Sequence, residues 1–209
     1  MIGVEEYDTP LGPARTHTTE TDGFVRGTLV LGHGAGGGVE SVDLVAVTAD
    51  AAAAGWRVIR VEQPWRVAGK RVATAPPRLD EAWTIVLDRL RDAGRLEGPL
   101  VLGGRSAGAR VACRTAAGQD AAGVLTLAFP LHPPGKPEKT RGPELTAVTV
   151  PIVVVQGETD AFGAPADVAA VLAGRASASV YAVPGDHSLK RNVEVVAAAA
   201  LSWLTELTA

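Results

Sequence analysis

Apolar residues along the chain fall into short β-branched runs separated by longer, alanine-rich stretches with helical spacing. The run TLVLG, Thr28 to Gly32, reads as a buried strand ending in a glycine cluster. Val42, Leu44, Val45, Val47, Ala51 and Ala52 then suit one helix face, with Gly55 as its stop. WRVIRVE, Trp56 to Glu62, predicts a second strand closed by Pro64. Leu79, Trp83, Val86, Leu87 and Leu90 recur at helical spacing before Gly94. Strands are predicted at 99–104, 123–129, 151–157 and 178–183, with helices near 107–117, 166–172 and 192–204 between and after them. The first 27 residues lack a helical period and suit one or two antiparallel edge strands. Such alternation predicts an α/β fold, a mostly parallel sheet covered by helices on both faces.

Two stretches stand outside the alternation. Residues 64–78 read as a basic connector, and residues 130–151 carry six prolines, too many for a continuous helix. No composition break marks a boundary, so 209 residues predict a single domain over 1–209. Aromatics are only 4%, so the core must come mainly from Ala, Val and Leu. A net charge of −3 points away from nucleic acid or an anionic membrane as partner. The lone Cys113 excludes an internal disulfide framework and a cysteine zinc site. No run approaches the roughly 18 apolar residues of a membrane span. The acidic start MIGVEEYDTP lacks a secretory leader, so a cytoplasmic location is expected.

The glycine cluster GHGAGG, Gly32 to Gly37, matches G-x-G-x-x-G between a strand and a helix, as a dinucleotide fingerprint requires. Glu62 stands where such a fold places its ribose-binding acid. Against that reading, some 27 residues precede the motif, and bulky His33 occupies a loop that must approach a pyrophosphate. The rival is an oxyanion loop, in which glycines turn a backbone N–H toward an acyl-transfer site. No Gly-Lys-Ser/Thr follows, so a P-loop is excluded.

Gly104-Arg105-Ser106-Ala107-Gly108 is a G-x-S-x-G, expected about 0.08 times in a shuffled chain of this composition. An apolar strand runs into it and a helix leaves it, which is the context of a nucleophile elbow. A serine needs a base, and the base an orienting acid. Asp160 follows the strand PIVVVQG, and His187 follows the last strand in PGDHS, giving the order Ser…Asp…His. Glu158 is the alternative acid, and Asp186 is too close to His187 to orient it. His17 is expected exposed, His33 is expected to shape the glycine loop, and His132 could line the site mouth, with a solvated loop position as the expectation. No His/Asp/Glu cluster has metal-ligand spacing.

Together LGHGAGGG, GGRSAGAR, FPLHPPGKPEKTRGPEL, VVQGETDAFG and GDHSLK resemble the small, lidless α/β-hydrolase-fold proteins related to dienelactone hydrolase, over Thr28 to Leu204. That resemblance implies an α/β-hydrolase fold without a cap domain. It also implies a triad of Ser106, Asp160 and His187, with the HGAGG segment as oxyanion loop. True dienelactone hydrolases usually carry a cysteine where this chain has Ser106, which separates it from the dienelactone substrate. The branch also includes protein-interaction subunits.

The expected function is therefore cleavage of an ester, thioester or similar acyl bond of a small substrate through an acyl-enzyme. The backbone N–H groups of Ala107 and Ala35 would form the oxyanion hole, and no cofactor or metal is required. The alternative is a catalytically silent interaction module using the basic segment with Lys136, Lys139 and Arg141. Only 21 residues separate Phe129 from Pro151, where lids of this fold are commonly inserted, so an open site for short acyl groups is expected.

Overall fold

In the computed structural model, which describes residues 2–208, eight strands form one sheet in the order β1-β2-β4-β3-β5-β6-β7-β8. The strands are β1 (Ile2–Tyr7), β2 (Ala14–Thr19), β3 (Gly27–Gly32), β4 (Trp56–Glu62), β5 (Leu100–Arg105), β6 (Gly123–Leu127), β7 (Ile152–Gly157) and β8 (Ala178–Val183). β2 runs antiparallel to both its neighbours, while β4, β3, β5, β6, β7 and β8 are parallel. β1 and β2 thus form the expected antiparallel edge.

Central strands are buried on both faces, which is why they read as unbroken apolar runs. Leu29, Leu31, Val58, Val101, Leu125, Val153 and Val155 face one way. There they meet Leu44 and Val47 of α1 (Val42–Ala53) and Val196, Ala200 and Trp203 of α7 (Val193–Leu207). The alternate residues Val30, Ile59, Leu102, Val124 and Val154 face the other side. Their partners are α3 (Pro76–Asp92) and α4 (Ala107–Thr115), with α5 (Gly142–Thr146) and α6 (Pro165–Val171) completing that layer. Strand period two therefore feeds two separate cores.

Residues 64–78 are not a plain connector: α2 (Pro64–Val67) occupies its start, and α3 begins at Pro76. Both helices have proline in their first turn, where its missing N–H costs nothing. Between β6 and β7 the one helix is the five-residue α5, whose Leu145 is wholly buried against the core. It packs into the body and forms no lid. No helix among the described residues is long and apolar enough to cross a membrane.

Candidate active site

β5 ends in Gly103, Gly104 and Arg105, and the chain turns into α4 at Ser106, whose φ of 52° is left-handed. The turn is pinned by Ser106 N–H donating to the Leu127 carbonyl at 3.0 Å. A Cβ on Gly104 or Gly108 would collide with the backbone of Gly32, so glycine alone lets β3, the turn and α4 approach this closely. Gly32 is thereby used for elbow packing. The chain past the glycines does not open a helix at once, because α1 begins only at Val42. Glu62 is engaged by His17, with 3.5 Å between Oε2 and Nε2. These features replace the dinucleotide-fingerprint reading, and they also correct His17, which is half-buried beside Glu62 rather than exposed.

The three residues predicted from separate strands meet at the carboxyl edge of the sheet, where parallel folds build sites. His187 Nε2 lies 2.9 Å from Ser106 Oγ, and His187 Nδ1 lies 2.8 Å from Asp160 Oδ2. With a carboxylate at Nδ1, that nitrogen carries the proton and Nε2 faces the serine hydroxyl as acceptor. Asp160 is only 5% exposed and fully occupied. Its Oδ1 accepts from Phe162 N–H at 2.8 Å, and its Oδ2 accepts from Gln156 Nε2 at 2.9 Å as well as from His187. The Phe162 ring packs on the imidazole with centroids 4.1 Å apart.

Local pairing explains why Asp160 rather than Glu158 holds this place. A Cβ on Gly157 would stand 2.6 Å from the Asp186 carbonyl oxygen, so the glycine brings the histidine loop against the end of β7. Thr159 then bonds Gly185 through both its N–H (2.9 Å) and its hydroxyl (3.0 Å). Glu158 is turned out to solvent. Asp186 is exposed too, its carboxyl held below the usual range by hydrogen bonds from the Ser188 hydroxyl and N–H.

His33 is buried at 3% exposure and shapes the glycine loop. Its Nε2 accepts from Gln63 N–H (3.1 Å), so Nδ1 carries the proton toward the Gly34 carbonyl (2.9 Å). Burial holds its pKa below the ordinary histidine value. This braces the loop bearing Ala35, whose N–H meets no backbone acceptor among the described residues. Ala107 is the first residue of α4, so its N–H also has no intrahelical acceptor. Both residues line the cleft with Ser106 and His187. His132 lies outside that lining, half-buried, with Nδ1 3.0 Å from the Pro133 carbonyl.

The cleft has a volume of about 850 Å³ and is rich in cations. Two of its acids pair with arginines, Asp43 with Arg105 (2.8 Å) and Glu40 with Arg60 (3.4 Å), and Glu62 has His17 Nε2 at 3.5 Å. Arg110 is bound to Glu144 by two hydrogen bonds. Arg66, Arg141 and Lys190 also line the cleft, and among the described residues no carboxylate lies within 4.0 Å of them. Lys136 and Lys139 are exposed and off the cleft, so of the basic segment Arg141 alone faces it. Sequence reasoning missed Gln156, which ties the loops after β6 and β7 together, and the pair Arg105 and Asp43, which joins the exit of β5 to the start of α1 and the His187 loop. No group of three or more His, Cys, Asp or Glu among the described residues could hold a metal ion.

Residues 25–203 match the family model described as alpha/beta hydrolase domain. The chain belongs to the alpha/beta hydrolase domain family. Solved structures agree with this α/β hydrolase in fold. An alpha-beta serine hydrolase homologue from Coxiella burnetii superposes with TM-score 0.81 at 16% identity, covering 97% of each chain. An a/b serine hydrolase without lid from Xanthomonas campestris gives 0.79 at 20% identity, over 98% of this chain and 94% of the other. Est1E from Butyrivibrio proteoclasticus gives 0.80 at 16% identity, over 98% of each. No curated protein matches the chain at a significant level.

Proposed function

We propose that this α/β hydrolase is a cytoplasmic serine hydrolase that cleaves ester or thioester bonds of small substrates. The observation that carries the reading is the unbroken chain from Ser106 Oγ through the His187 imidazole to the Asp160 carboxylate, at 2.9 and 2.8 Å. Ser106 attacks the acyl carbonyl while His187 Nε2 takes its proton, and the imidazolium is stabilised by Asp160. The N–H groups of Ala107 and Ala35 receive the oxyanion, each such donor contributing about 2.7–4 kcal/mol to barrier lowering. His187 protonates the leaving group, and water, activated by the same base, then releases the acid. The fold neighbours described as a serine hydrolase homologue and as an a/b serine hydrolase without lid support the chemistry by analogy.

The cleft favours substrates carrying negative charge. Arg66, Arg141 and Lys190 leave an excess of unpaired positive charge beside the nucleophile, which concentrates anionic esters through long-range attraction. Kinship to the dienelactone-hydrolase-like branch is part of the same proposal, with serine replacing the cysteine nucleophile.

The test is hydrolysis of 4-acetoxybenzoate against its neutral methyl ester at low and high salt. We expect acetate release from both, giving 4-hydroxybenzoate and methyl 4-hydroxybenzoate respectively, faster for the anion at low salt, and loss of both reactions in Ser106→Ala. Equal rates for charged and neutral esters would refute the charge preference. Turnover undiminished in Ser106→Ala would refute the serine mechanism.

A further inference from the structure

The residue between glycine and serine in G-x-S-x-G need only point away from a tight turn, yet here it is an arginine with a side chain 12% exposed. Its guanidinium reaches two other loops. Nη2 donates to the backbone carbonyl of His187 at 2.7 Å. Nε sits 2.8 Å from Asp43 Oδ2, and the Asp43 side chain is 1% exposed at the start of α1. Asp43 is itself anchored by Leu44 N–H donating to its Oδ1 at 3.0 Å. A Cβ on Gly34 would stand 2.8 Å from Arg105 Nη1, so the glycine loop crosses directly over the guanidinium.

We infer that Arg105 is a positioning residue that holds the His187 loop to the nucleophile elbow, with buried Asp43 as its anchor. The inference rests on the hydrolase reading above. His187 lies in a loop between β8 and α7, and its ring is oriented at one end by Asp160. The hydrogen bond to its carbonyl fixes the other end, the backbone from which the imidazole hangs. A charge-assisted bond from a rigid planar fork suits this task, because one group contacts Asp43 and His187 together. Lysine offers a point charge without that fork. Burial pushes the Asp43 carboxyl up and the neighbouring Arg105 pulls it back down, so the two form one electrostatic unit.

Removing Arg105 alone leaves a buried carboxylate uncompensated and weakens the fold, which would by itself slow the enzyme. The test therefore pairs Arg105→Gln with the double variant Asp43→Asn/Arg105→Gln, in which neither charge remains. Three quantities are measured: melting temperature, hydrogen–deuterium exchange over residues 185–190, and the rate of inactivation by a fluorophosphonate. Arg105→Gln should melt lower than wild type, exchange faster in that loop, and react with the probe about 10- to 100-fold more slowly, the scale of a misplaced reacting group. The double variant should regain the melting temperature and still react slowly, with kcat reduced for a short ester and KM little changed. Arg105→Lys should recover part of the rate.

A double variant that labels at the wild-type rate, or loop exchange unchanged by Arg105→Gln, would overturn the assignment. Faster loop exchange in a protein whose wild type never reacts with the probe would sink the hydrolase reading while leaving the tether in place.

Discussion

Gly108, in the first turn of α4, packs against Gly32 at the end of β3 so tightly that a Cβ on Gly108 would overlap the Gly32 carbonyl group. That contact sets how closely the elbow helix sits on the sheet, and hence where Ser106 is presented. Gly108→Ala should destabilise the fold by at least about 2 kcal/mol in urea unfolding, since backbone stands on the other side and cannot yield. Gly36, with nothing within 4 Å of its notional Cβ, is the control. Gly36→Ala should stay within about 0.5 kcal/mol of wild type. Equal losses in the two variants would contradict the packing account.

Asp160 accepts from His187 while Glu158, two residues earlier, faces solvent. Asp160→Asn should lower kcat on a short ester by about 10⁴-fold, through the wrong imidazole tautomer. Glu158→Gln should change it less than about twofold, as for an exposed substitution. The reverse ranking would move the orienting role to Glu158.

Gln156 is wholly buried and donates from Nε2 to Asp160 Oδ2 as well as to the carbonyls of Phe129 (3.1 Å) and Gly163 (2.8 Å). Gln156→Leu removes the donor that holds the acid in place. Hydrogen bonds to charged groups contribute about 1.5–3 kcal/mol, so kcat should fall at least about tenfold. KM should barely move, because Gln156 does not line the cleft. A rise in KM with kcat unchanged would contradict this.

His33 makes the loop sensitive to acid. Its folded pKa lies below the ordinary value because the ring is buried, while the unfolded chain takes up a proton near pH 6.5. The unfolded state therefore binds more protons as pH falls. The stabilisation from His33 is complete above about pH 6.5 and is lost as pH drops toward the folded value. Melting temperature should fall between about pH 6.5 and 5 in wild type and fall less in His33→Gln. Parallel curves would assign the acid sensitivity elsewhere.

The cleft lacks a lid, since α5 is tucked against the core. Each buried methylene would add about 0.8 kcal/mol to binding, and an open groove captures little of it. kcat/KM for 4-nitrophenyl esters should peak at two to four acyl carbons or fall from acetyl onward. A steady climb to dodecanoyl would require a concealed acyl tunnel.

Much of this was legible in the chain because its signals are local. The G-x-S-x-G lies between an apolar strand and a helix, and Asp160 and His187 each stand just beyond a strand of their own, so topology brings them to one edge. What escaped depends on how side chains turn once the chain is folded. Nothing near Arg105 in sequence announces a contact with Asp43 or with the carbonyl of His187, 82 residues away. Gln156 read as one polar residue at a strand end, and only the fold turns it toward Asp160. The start of α3 was also hidden, because Pro76 and Pro77 read as loop residues yet suit a first helical turn. Glu62 matched the ribose-acid position of a dinucleotide fold, and only the pairing of β2 on β4, which sets Glu62 opposite Arg15, brings its carboxylate diagonally to His17.

Activation of Ser106 as a nucleophile by His187 underlies the whole proposed mechanism. The most direct measurement is intact-protein mass after incubation with a fluorophosphonate, followed by peptide mapping. One adduct per chain is expected, located on Ser106, absent in Ser106→Ala and much slower to form in His187→Gln. An unmodified wild-type protein, or an adduct on any other residue, would contradict it.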